Sequence, residues 1–434
     1  MGDGQSSSQA KTRDLQPRTE LRIEASWDQT ATVTLREGTA EVFGTELRLQ
    51  EKVRVSGTSI AIFTWTGAKV DVQAEGALVY TSDETTVPQH LALHDTLEAR
   101  RIAARTDSSA GPRVLVVGNM DAGKSTLIRT LASWGVRTGW HPTVVDLDIG
   151  QGAVGVPGSI GAVTLEEPVD IEEGAPSEPP LAFYFGHVTP SDNMPVYKAL
   201  VEQLAGVLER RDSADPLAKA SGWLINTMGW TDGEGYDLLL QAAEAMKCDV
   251  VVVIGQDRLH ARLQSDLSAN QKKKNTPLGV EVVRVPRSGG VVDRTPESRK
   301  EARRRRLRAY FYGRNGELKP HTQTLPASDL QVYRIGGGFV APAAALPIGT
   351  SAESGPGRLS RAEPGRGLPV GTVLAVSHAS KAEDIPRSNV AGFVHLQRIE
   401  QRDGQTHVQY LAPRPGLLPG EFLLAGHFQV LDLE

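Results

Sequence analysis

The chain has 434 residues, which exceeds the size of one ordinary hydrophobic core and predicts two or three domains. Its formal net charge of -5 excludes recognition of nucleic acid by overall positive charge, so such a contact has to come from a local basic surface. The single cysteine, Cys248, excludes an intrachain disulfide and a cysteine-based zinc site. Because the N-terminus is polar, we expect no secretory signal. Because the chain has no run of about 18 apolar residues, we expect no contact with a membrane.

The first part of the chain has the pattern of a small β domain. Residues 1–18 are polar with little to bury, and we predict a disordered tail there. Residues 19–103 contain short alternating or β-branched segments separated by glycines, which is typical of a β-sandwich or barrel. The segment 91–102 is predicted to be a helical connector, because its apolar residues lie near helical spacing: Leu93, Leu97 and Ile102.

The middle of the chain, residues 104–314, changes character. Continuous apolar runs at 114–117, 143–147, 222–226, 249–254 and 280–285 alternate with helix-like segments such as 196–208 and 236–246. This alternation predicts an α/β domain, with a parallel sheet of the P-loop NTPase type and helices on both faces. Residues 315–434 return to strand-like patterns and predict a C-terminal β-rich domain.

One loop in the middle domain has the spacing of a phosphate-binding loop. Residues 118–126 read GNMDAGKST and fit the pattern G-x-x-x-x-G-K-[ST] between a buried strand and the start of a helix. The glycines let backbone N–H groups point at phosphate oxygens, at the positive end of that helix. We therefore predict ATP as the ligand, with Lys124 reaching its β- and γ-phosphates and Ser125 serving Mg²⁺. The predicted nucleotide-binding residues are Asp121, Ala122, Gly123, Lys124, Ser125 and Thr126. A chance match is the alternative, which the flanking strand and helix disfavour.

A pair of aspartates ends the next apolar strand. Asp146 and Asp148 alternate onto one face, and Asp148 is the last acidic residue before the glycine turn. If this strand neighbours the strand before the phosphate loop, the Asp148 carboxylate should face the γ-phosphate, because ligands of such sheets sit at the carboxyl ends of strands. There it could accept a proton from an attacking hydroxyl or hold a metal-bound water. The alternative is an ordinary strand-end aspartate.

An arginine-rich segment follows the last strand of the middle domain. Arg294 precedes a helix that starts at Pro296, and Arg299 and Arg303 lie four residues apart on one face of it. Guanidinium groups on a mobile segment can stabilise the charge that spreads over a phosphoryl group during transfer. We predict a catalytic role for these three arginines. A solvated basic helix is the alternative, and it is the better interpretation of the run 303–306 taken alone.

The chain resembles a known family, the eukaryotic polyribonucleotide 5′-hydroxyl kinases found with the pre-mRNA 3′-end cleavage machinery and the tRNA-splicing endonuclease. The resemblance extends from about Glu20 to the C-terminus, and several of its segments are specific to the family. They read TELR (19–22), AEVFGTEL (40–47), FTW (63–65), GPRV (111–114), DIGQG (148–152), VPG (156–158), INTMGW (225–230), SGGVV (288–292), YFYG (310–313), VAGF (390–393) and APRP (412–415).

For the nucleotide and the chemistry, the resemblance implies a P-loop kinase domain between two β domains. It implies that Lys124 grips the phosphates and that Asp148 activates the RNA hydroxyl. It also implies a lid formed by Arg294, Arg299 and Arg303. Glu20 falls on a residue that touches adenine, and the family often has a lysine near the adenine where this chain has Ser59.

For the RNA, the resemblance implies contacts by three parts of the chain. Trp230 falls beside the terminal nucleotide, where stacking suits any base. Gln151 falls on the RNA site as well. Residues 189–193 correspond to a clasp for the RNA end, with Thr189 and Asn193 as its predicted contacts. Just before the clasp, the chain has His187 and Val188 where small hydroxyl residues are usual in the family.

The leading interpretation is an ATP- and Mg²⁺-dependent kinase of the 5′-hydroxyl end of RNA, acting in the nucleus in mRNA 3′-end cleavage and polyadenylation and in tRNA splicing. The implied partners are RNA, the cleavage-complex scaffold protein and the tRNA-splicing endonuclease. One alternative is a catalytically inactive, ATP-binding scaffold subunit, as in some fungal relatives with altered P-loops. The joint presence of Lys124, Ser125, Asp148 and the lid arginines argues against it. Another is a kinase of ribosomal RNA processing, but such proteins usually carry long extra segments.

Overall fold

The computed structural model describes residues 9–152, 154–172, 174, 181–274, 279–335, 358–364 and 367–433. Its N-terminal part is built of nine strands: β1 (Lys11–Leu15), β2 (Thr19–Ala25), β3 (Thr30–Gly38), β4 (Glu41–Val42), β5 (Thr45–Glu46), β6 (Lys52–Val55), β7 (Thr58–Thr64), β8 (Ala68–Glu75) and β9 (Leu78–Ser82). They form two antiparallel sheets with the orders β1-β8-β3-β6 and β5-β4-β7-β2-β9. Leu21 and Ile23 of β2 lie opposite Ile62 and Ile60 of β7, and all four are buried in the core between the sheets.

Strand β1 corrects one prediction. Residues 1–18 were expected to be a disordered tail, yet residues 11–15 pair in register with β8, from Lys11 opposite Val72 to Leu15 opposite Ala68. An edge strand is held by main-chain hydrogen bonds and buries little apolar surface, so its sequence can be as polar as that of a disordered tail. Of the five residues of β1, only Leu15 is buried. Residues 1–8 lie outside the described residues.

A long helix, α1 (Val87–Asp107), leads into the middle domain and crosses the boundary predicted after residue 103. A proline lies in its first turn, where a backbone N–H would have no helical acceptor, and left-handed Ser108 ends it. Leu93 and Leu97 are buried, as the pattern predicts. Arg101, four residues on, continues that buried face in place of Ile102, which is 54% exposed.

The central sheet has seven strands: β10 (Arg113–Val117), β11 (Thr143–Asp146), β12 (Ser159–Thr164), β13 (Leu181–Tyr184), β14 (Trp223–Asn226), β15 (Val250–Ile254) and β16 (Glu281–Val285). Their order is β13-β12-β11-β14-β10-β15-β16, in which five strands are parallel, as predicted, and β12 and β13 add an antiparallel edge. Strand β14 lies between β10 and β11, so these two are not direct neighbours as the prediction about Asp148 supposed.

Six further helices cover this sheet or adjoin it: α2 (Lys124–Arg137), α3 (Met194–Asp212), α4 (Pro216–Ser221), α5 (Glu234–Ala245), α6 (Asp257–Lys274) and α7 (Pro296–Tyr312). Successive residues of β10 point to opposite faces, which explains its unbroken apolar run. Val114 and Val116 join a core with α1 and α2, whereas Leu115 and Val117 join a second core with α3 and α5. Among the described residues, no helix combines the length and apolarity needed to cross a bilayer.

The C-terminal domain contains β17 (His321–Pro326), β18 (Gln331–Ile335), β19 (Leu359–Arg361), β20 (Glu363–Pro364), β21 (Gly367–Leu368), β22 (Thr372–Ser377), β23 (Val390–Arg402), β24 (Gln405–Ala412) and β25 (Phe422–Gln429). Seven of them form one sheet in the order β17-β24-β23-β22-β25-β18-β19. This domain buries the second half of α7, including Leu307 and Phe311. The Tyr310 hydroxyl accepts the Phe393 N–H at 2.9 Å. The arginine helix is therefore anchored at its C-terminal end, while its first turns reach the phosphate loop.

Candidate active site

A cleft of about 2060 Å³ lies between the N-terminal domain, the phosphate loop and the first half of α7. It brings most of the predicted site residues together in its walls: Glu20, Asp121, Ala122, Gly123, Lys124, Ser125, Thr126, Asp148, Gln151, Arg294, Arg299 and Arg303. Three predicted RNA contacts, Trp230, Thr189 and Asn193, are not among the described residues of these walls. They lie on the loops after β14 and β13, which also belong to the central sheet.

The phosphate loop has the backbone geometry that its sequence predicts. Asp121 and Gly123 both adopt left-handed conformations, with φ of 53° and 96°. Glycine takes this conformation without strain, and Gly123 directly precedes α2, whose first N–H groups have no helical acceptor. These N–H groups and the positive end of the helix suit a phosphate chain. The Ser125 hydroxyl lies in the same first turn and lines the cleft.

Lys124 is buried at the floor of the cleft, with 7% of the residue exposed. Its Nζ donates to the carbonyl oxygens of Gly118 at 3.0 Å and Asn119 at 2.8 Å. Burial lowers the pKa of Lys124, and the carboxylates of Asp148 and Asp121 counteract that effect. An ammonium group held by two neutral carbonyls has a strong preference for an anion, so this lysine is suited to grip phosphate.

Mg²⁺ fits this donor set in a particular way. No group of three His, Cys, Asp or Glu side chains that could hold a metal occurs in the described part of the chain. Mg²⁺ is usually held by one or two protein oxygens together with substrate phosphates and water, not by an all-protein cage. The Ser125 hydroxyl beside the phosphate site supplies such an oxygen, so the residues present fit a magnesium ion shared with a nucleotide.

Asp146 supports the carboxyl end of β11 from within the protein. The residue is 2% exposed, and its carboxylate accepts hydrogen bonds from Asn226 Nδ2 and from the N–H groups of Val154 and Asp148, each at 3.0 Å. Burial, aided by the nearby charge of Asp148, raises the pKa of Asp146 to about 6. Asn226 belongs to β14, so the strand that separates β11 from the phosphate-loop strand also ties the two together.

Asp148 reaches the cleft despite the intervening strand. Its Oδ1 accepts the N–H groups of Gly150 at 3.0 Å and Gln151 at 2.9 Å, and no described group donates to Oδ2. Burial raises the pKa of the Asp148 carboxyl, although the Gln151 N–H and the charge of Lys124 pull it down. A carboxylate whose one oxygen is held by hydrogen bonds, and whose pKa is raised, can accept a proton on its other oxygen.

Asp121 of the phosphate loop holds two of the lid arginines. Its carboxylate accepts the backbone N–H of Arg294 at 3.0 Å and its Nε at 3.1 Å, and it accepts Arg299 Nη2 at 2.5 Å. Burial alone would raise the pKa of Asp121, but the hydrogen bonds from the two arginines and the charge of Arg294 lower it below its usual value. The sequence places Asp121 only in the nucleotide-binding loop; the structure adds a second contact that no local pattern indicates.

Arg303 lies deeper on the same helix face. No described residue hydrogen-bonds or pairs with its guanidinium; burial and the charge of Arg299 lower the pKa of Arg303, and Asp148 raises it. The predicted RNA contact Gln151 links this helix to the turn after Asp148, because its Nε2 lies 3.5 Å from the carbonyl of Arg299. The three predicted arginines therefore face the phosphate loop and the aspartate from one side.

The predicted adenine contact, Glu20, is buried in a polar network of the N-terminal domain. Its two oxygens accept Arg22 Nε at 3.0 Å and the Thr85 hydroxyl. Arg22 also packs under the loop that leads to the lid, since a Cβ on Gly290 would lie 2.8 Å from Arg22 Nε. Sequence reasoning missed Arg22; its position two residues after Glu20, on the same strand face, was the available signal.

The predicted RNA contacts occupy structured positions outside the cleft. The Trp230 ring packs across Gly235 at the start of α5, where an added Cβ would lie 2.2 Å away. Asn193 caps α3, because its side chain accepts the N–H of Val196. The Thr189 hydroxyl lies 3.0 Å from that of Ser191. Their part in binding RNA stays a prediction.

The site can be compared with known proteins. Three family models match in succession: "N-terminal beta-sandwich domain of polyadenylation factor" at residues 14–104, "mRNA cleavage and polyadenylation factor CLP1 P-loop" at 118–313, and "Pre-mRNA cleavage complex II protein Clp1" at 318–432. The Arabidopsis thaliana protein named "Protein CLP1 homolog" is 42% identical over 98% of this chain and 95% of its own length. The chain belongs to the Clp1 family. The Homo sapiens relative, named "Polyribonucleotide 5′-hydroxyl-kinase Clp1", is 39% identical over 97% of this chain and 96% of its own.

A solved structure extends the likeness to the whole fold. Wild-type Clp1p in complex with a fragment of Pcf11p superposes on this chain with a TM-score of 0.82, at 20% sequence identity, over 98% of this chain and 99% of that one. The family resemblance and the fold class, a P-loop domain between two mainly-β domains, are thereby confirmed for this Clp1 chain.

Proposed function

We propose that this Clp1 chain transfers the γ-phosphate of ATP to the 5′-hydroxyl end of RNA. The observation that carries the proposal is Asp148, a carboxylate with a raised pKa at the edge of the phosphate cleft, with one oxygen held by two N–H groups. A nucleotide that only held domains together would need no proton acceptor there. The name of the human relative, a polyribonucleotide 5′-hydroxyl kinase, supports RNA as the acceptor.

The reaction assigns a role to each group. The Asp148 carboxylate takes the proton of the RNA 5′-hydroxyl while that oxygen bonds to the γ-phosphorus and the bond from phosphorus to the β,γ-bridging oxygen breaks, which leaves ADP. Lys124 stabilises the charge on the β- and γ-phosphates. Arg303, whose guanidinium pairs with no described residue and interacts with the charge of Asp148, stabilises the oxygens of the transferring group.

The lid and the metal complete the site. Arg294 and Arg299, held on Asp121 in the wall of the cleft, limit the access of water to the phosphoryl group. Mg²⁺, which Ser125 would hold together with the phosphates, supplies charge neutralisation when bound. The positive side chains of this scheme therefore come from the phosphate loop, from the segment just before α7 and from α7 itself, and the base comes from the turn after β11.

The test is transfer of labelled γ-phosphate from ATP to a short RNA with a 5′-hydroxyl. We expect transfer by the wild type and by Lys381→Ala, a matched control whose side chain is 71% exposed, and none by Lys124→Ala. Retained transfer in Lys124→Ala would point to a contaminating kinase. No transfer by a folded wild type that binds ATP would overturn the proposal.

A scaffold role is the second candidate, and one observation favours it: the similar solved structure is Clp1p bound to Pcf11p. In that case, ATP would stabilise the domain arrangement for partner docking, and activity would be absent. A binding assay with a cleavage-complex scaffold fragment, run beside the transfer assay, separates the two. Binding of the scaffold protein is compatible with activity as well, and we propose that protein as a partner of the active kinase.

The cellular setting is part of the proposal. A 5′-hydroxyl RNA kinase of this family would act in mRNA 3′-end processing and, with the tRNA-splicing endonuclease, on cleaved tRNA precursors. Both settings make the nucleus the proposed location. Fluorescent tagging tests the location, and a purely cytoplasmic signal would contradict the nucleus. Co-purification of endonuclease subunits with the tagged chain tests the role in tRNA splicing.

A further inference from the structure

The C-terminal domain reaches the loop that is predicted to clasp the RNA end. The carbonyl oxygen of Gly186, three residues before Thr189, accepts two backbone hydrogen bonds from β25, from the N–H groups of His427 at 2.7 Å and Phe428 at 2.9 Å. This loop also carries Phe185, whose N–H bonds to the carbonyl of Gly158 in the central domain at 2.8 Å. The start of the clasp is therefore fixed between two domains.

The contact requires two glycines at the crossing point. A Cβ added to Gly186 would lie 2.6 Å from the Cα of Gly426, and a Cβ added to Gly426 would lie 2.1 Å from the Gly186 carbonyl oxygen. Both distances are shorter than any tolerated contact, and the Gly186 φ of +78° independently favours glycine. The two backbones can approach this closely only because neither residue has a side chain.

A pair of histidines extends the contact toward the clasp itself. The rings of His187 and His427 have centroids 4.7 Å apart, and His187 Nε2 lies 3.5 Å from His427 Nδ1. On its other side, His187 Nδ1 is 3.1 Å from the Asp192 carboxylate, which lies on the 3₁₀ turn Pro190–Asp192 inside the clasp. The C-terminal domain is thus connected through one histidine to the far half of the loop.

The same loop touches the turn that holds the catalytic carboxylate. A Cβ on Gly150 would lie 2.8 Å from the carbonyl oxygen of Val188, so the loop packs directly on that residue. The Gly150 N–H is one of the two donors to Asp148 Oδ1. A shift of the loop would therefore change both the clasp and the orientation of the base.

We propose that Gly426 and His427 are positioning residues for the RNA site: they hold the clasp at a fixed distance from Asp148, so that the acceptor hydroxyl meets the base. The C-terminal domain is then a structural part of the RNA-binding site and not only a surface for protein partners. The inference rests on the proposed kinase function. In this arrangement, His187 supplies the second ring of the contact to His427.

The main test compares His427→Ala with Gln429→Ala, a matched control on the same strand whose side chain is exposed two residues further on. Loss of an aromatic contact corresponds to a change of about twofold to tenfold in an equilibrium constant. We expect the KM for 5′-hydroxyl RNA to rise by about that factor in His427→Ala, with the KM for ATP unchanged and both constants unchanged in Gln429→Ala. An unchanged KM for RNA in His427→Ala, or an equal rise for ATP, would overturn the proposal.

Two further variants guard against a general loss of folding. Gly426→Ala should raise the KM for RNA more strongly, and a thermal melt shows whether the domain still packs. In the double variant His187→Ala with His427→Ala, we expect no more loss than in the larger single effect, because both act through one contact. Full additivity would contradict the shared mechanism.

Direct RNA binding separates this inference from the kinase proposal. Fluorescence anisotropy with a labelled 5′-hydroxyl RNA is measured on the wild type and on His427→Ala in the absence of ATP. If the wild type binds RNA without transferring phosphate, the kinase proposal fails, and weaker binding by His427→Ala still supports the positioning role. If the wild type does not bind RNA at all, the positioning role fails as well.

Discussion

The contact between Asp121 and the lid offers a direct test of how the arginines are delivered. Asp121→Asn keeps the size of the side chain and removes its charge. The change weakens the hydrogen bonds to the Arg294 backbone N–H, to Arg294 Nε and to Arg299 Nη2. If this arrangement is the reactive one, the lid becomes less ordered in the variant and the transition state loses stabilisation.

The magnitude follows from the exposure of each partner. The Asp121 side chain is 5% exposed and that of Arg299 20%, so this charged hydrogen bond should contribute about 1.5–3 kcal/mol. The Arg294 side chain is 47% exposed, and its ion pair should contribute less than about 1 kcal/mol after solvent screening. Asparagine has one acceptor oxygen in place of two, so it keeps hydrogen bonds with only part of these donors, and its NH₂ group faces the rest. Roughly half of the total, about 1.5 kcal/mol, should then be lost, which lowers kcat about tenfold.

The assay is labelled phosphate transfer at saturating ATP and RNA. Asp293→Asn is the matched control, because it makes the same change on an 80% exposed lid side chain that pairs with Arg287, and we expect its kcat to equal that of the wild type. A kcat for Asp121→Asn equal to or above the wild-type value would refute the reasoning. It would mean that Asp121 restrains the arginines and keeps them from the phosphates.

Three further predictions concern the base, the RNA platform and pH. Asp148→Asn should bind ATP normally in calorimetry but lose about 10²- to 10⁴-fold in single-turnover rate, because it cannot accept the proton; an unchanged rate would remove Asp148 from the mechanism. Trp230→Ala should raise the KM for RNA roughly tenfold for all four terminal bases, as lost stacking predicts, and a sharp base preference would contradict that role. Burial and His427 lower the pKa of His187 below 6.5, while Asp192 opposes them and Arg334 adds to the lowering. The docked clasp therefore favours neutral His187. The packing of neutral His187 stabilises the clasp fully above pH 6.5, and this stabilisation of the clasp is lost as the pH falls through the lowered pKa of His187. RNA affinity measured by anisotropy should fall below that pH in the wild type and stay flatter in His187→Ala.

The parts of the site that could be predicted from sequence are those fixed by local spacing. A loop that binds phosphate needs its glycines, lysine and hydroxyl within nine residues. The sequence of residues 118–126 is therefore sufficient to predict such a loop. That Arg299 and Arg303 share one helix face was predictable because they lie one helical turn apart, and both line the cleft; their catalytic role stays a prediction. Asp148 was also found, although its predicted reason was incomplete, since β14 lies between β10 and β11. The ends of all parallel strands meet at one edge of the sheet, and this rule tolerates an intervening strand.

The parts that were missed depend on distant residues. Strand β12, Ser159–Thr164, pairs antiparallel to β11, and nothing in its six residues indicates which neighbour it takes. Arg101 replaces Ile102 on the buried face of α1 because its Nε bonds to the Ser221 carbonyl at 3.0 Å, a partner 120 residues away. Asp121 likewise occupies a variable position of the phosphate-loop pattern. Its pairing with Arg294 and Arg299 is evident only when α7 is placed beside the loop. The environment of each of these residues depends on a partner that is distant in the sequence. The spacing of apolar residues along the chain contains no information about such partners.

The C-terminal domain makes contacts that connect both sides of the reaction. It buries Leu307 and Phe311 of α7, and the same helix carries Arg299 and Arg303 on its first turns. Through β25 it also fixes Gly186 and, with it, the loop that packs on the turn after Asp148. Because one sheet contacts both elements, the C-terminal domain contributes to the distance between α7 and the loop that packs on the turn after Asp148. A protein partner that binds this domain could therefore change the rate of transfer without touching the ATP site, since a small rotation of the sheet would move the lid and the clasp together.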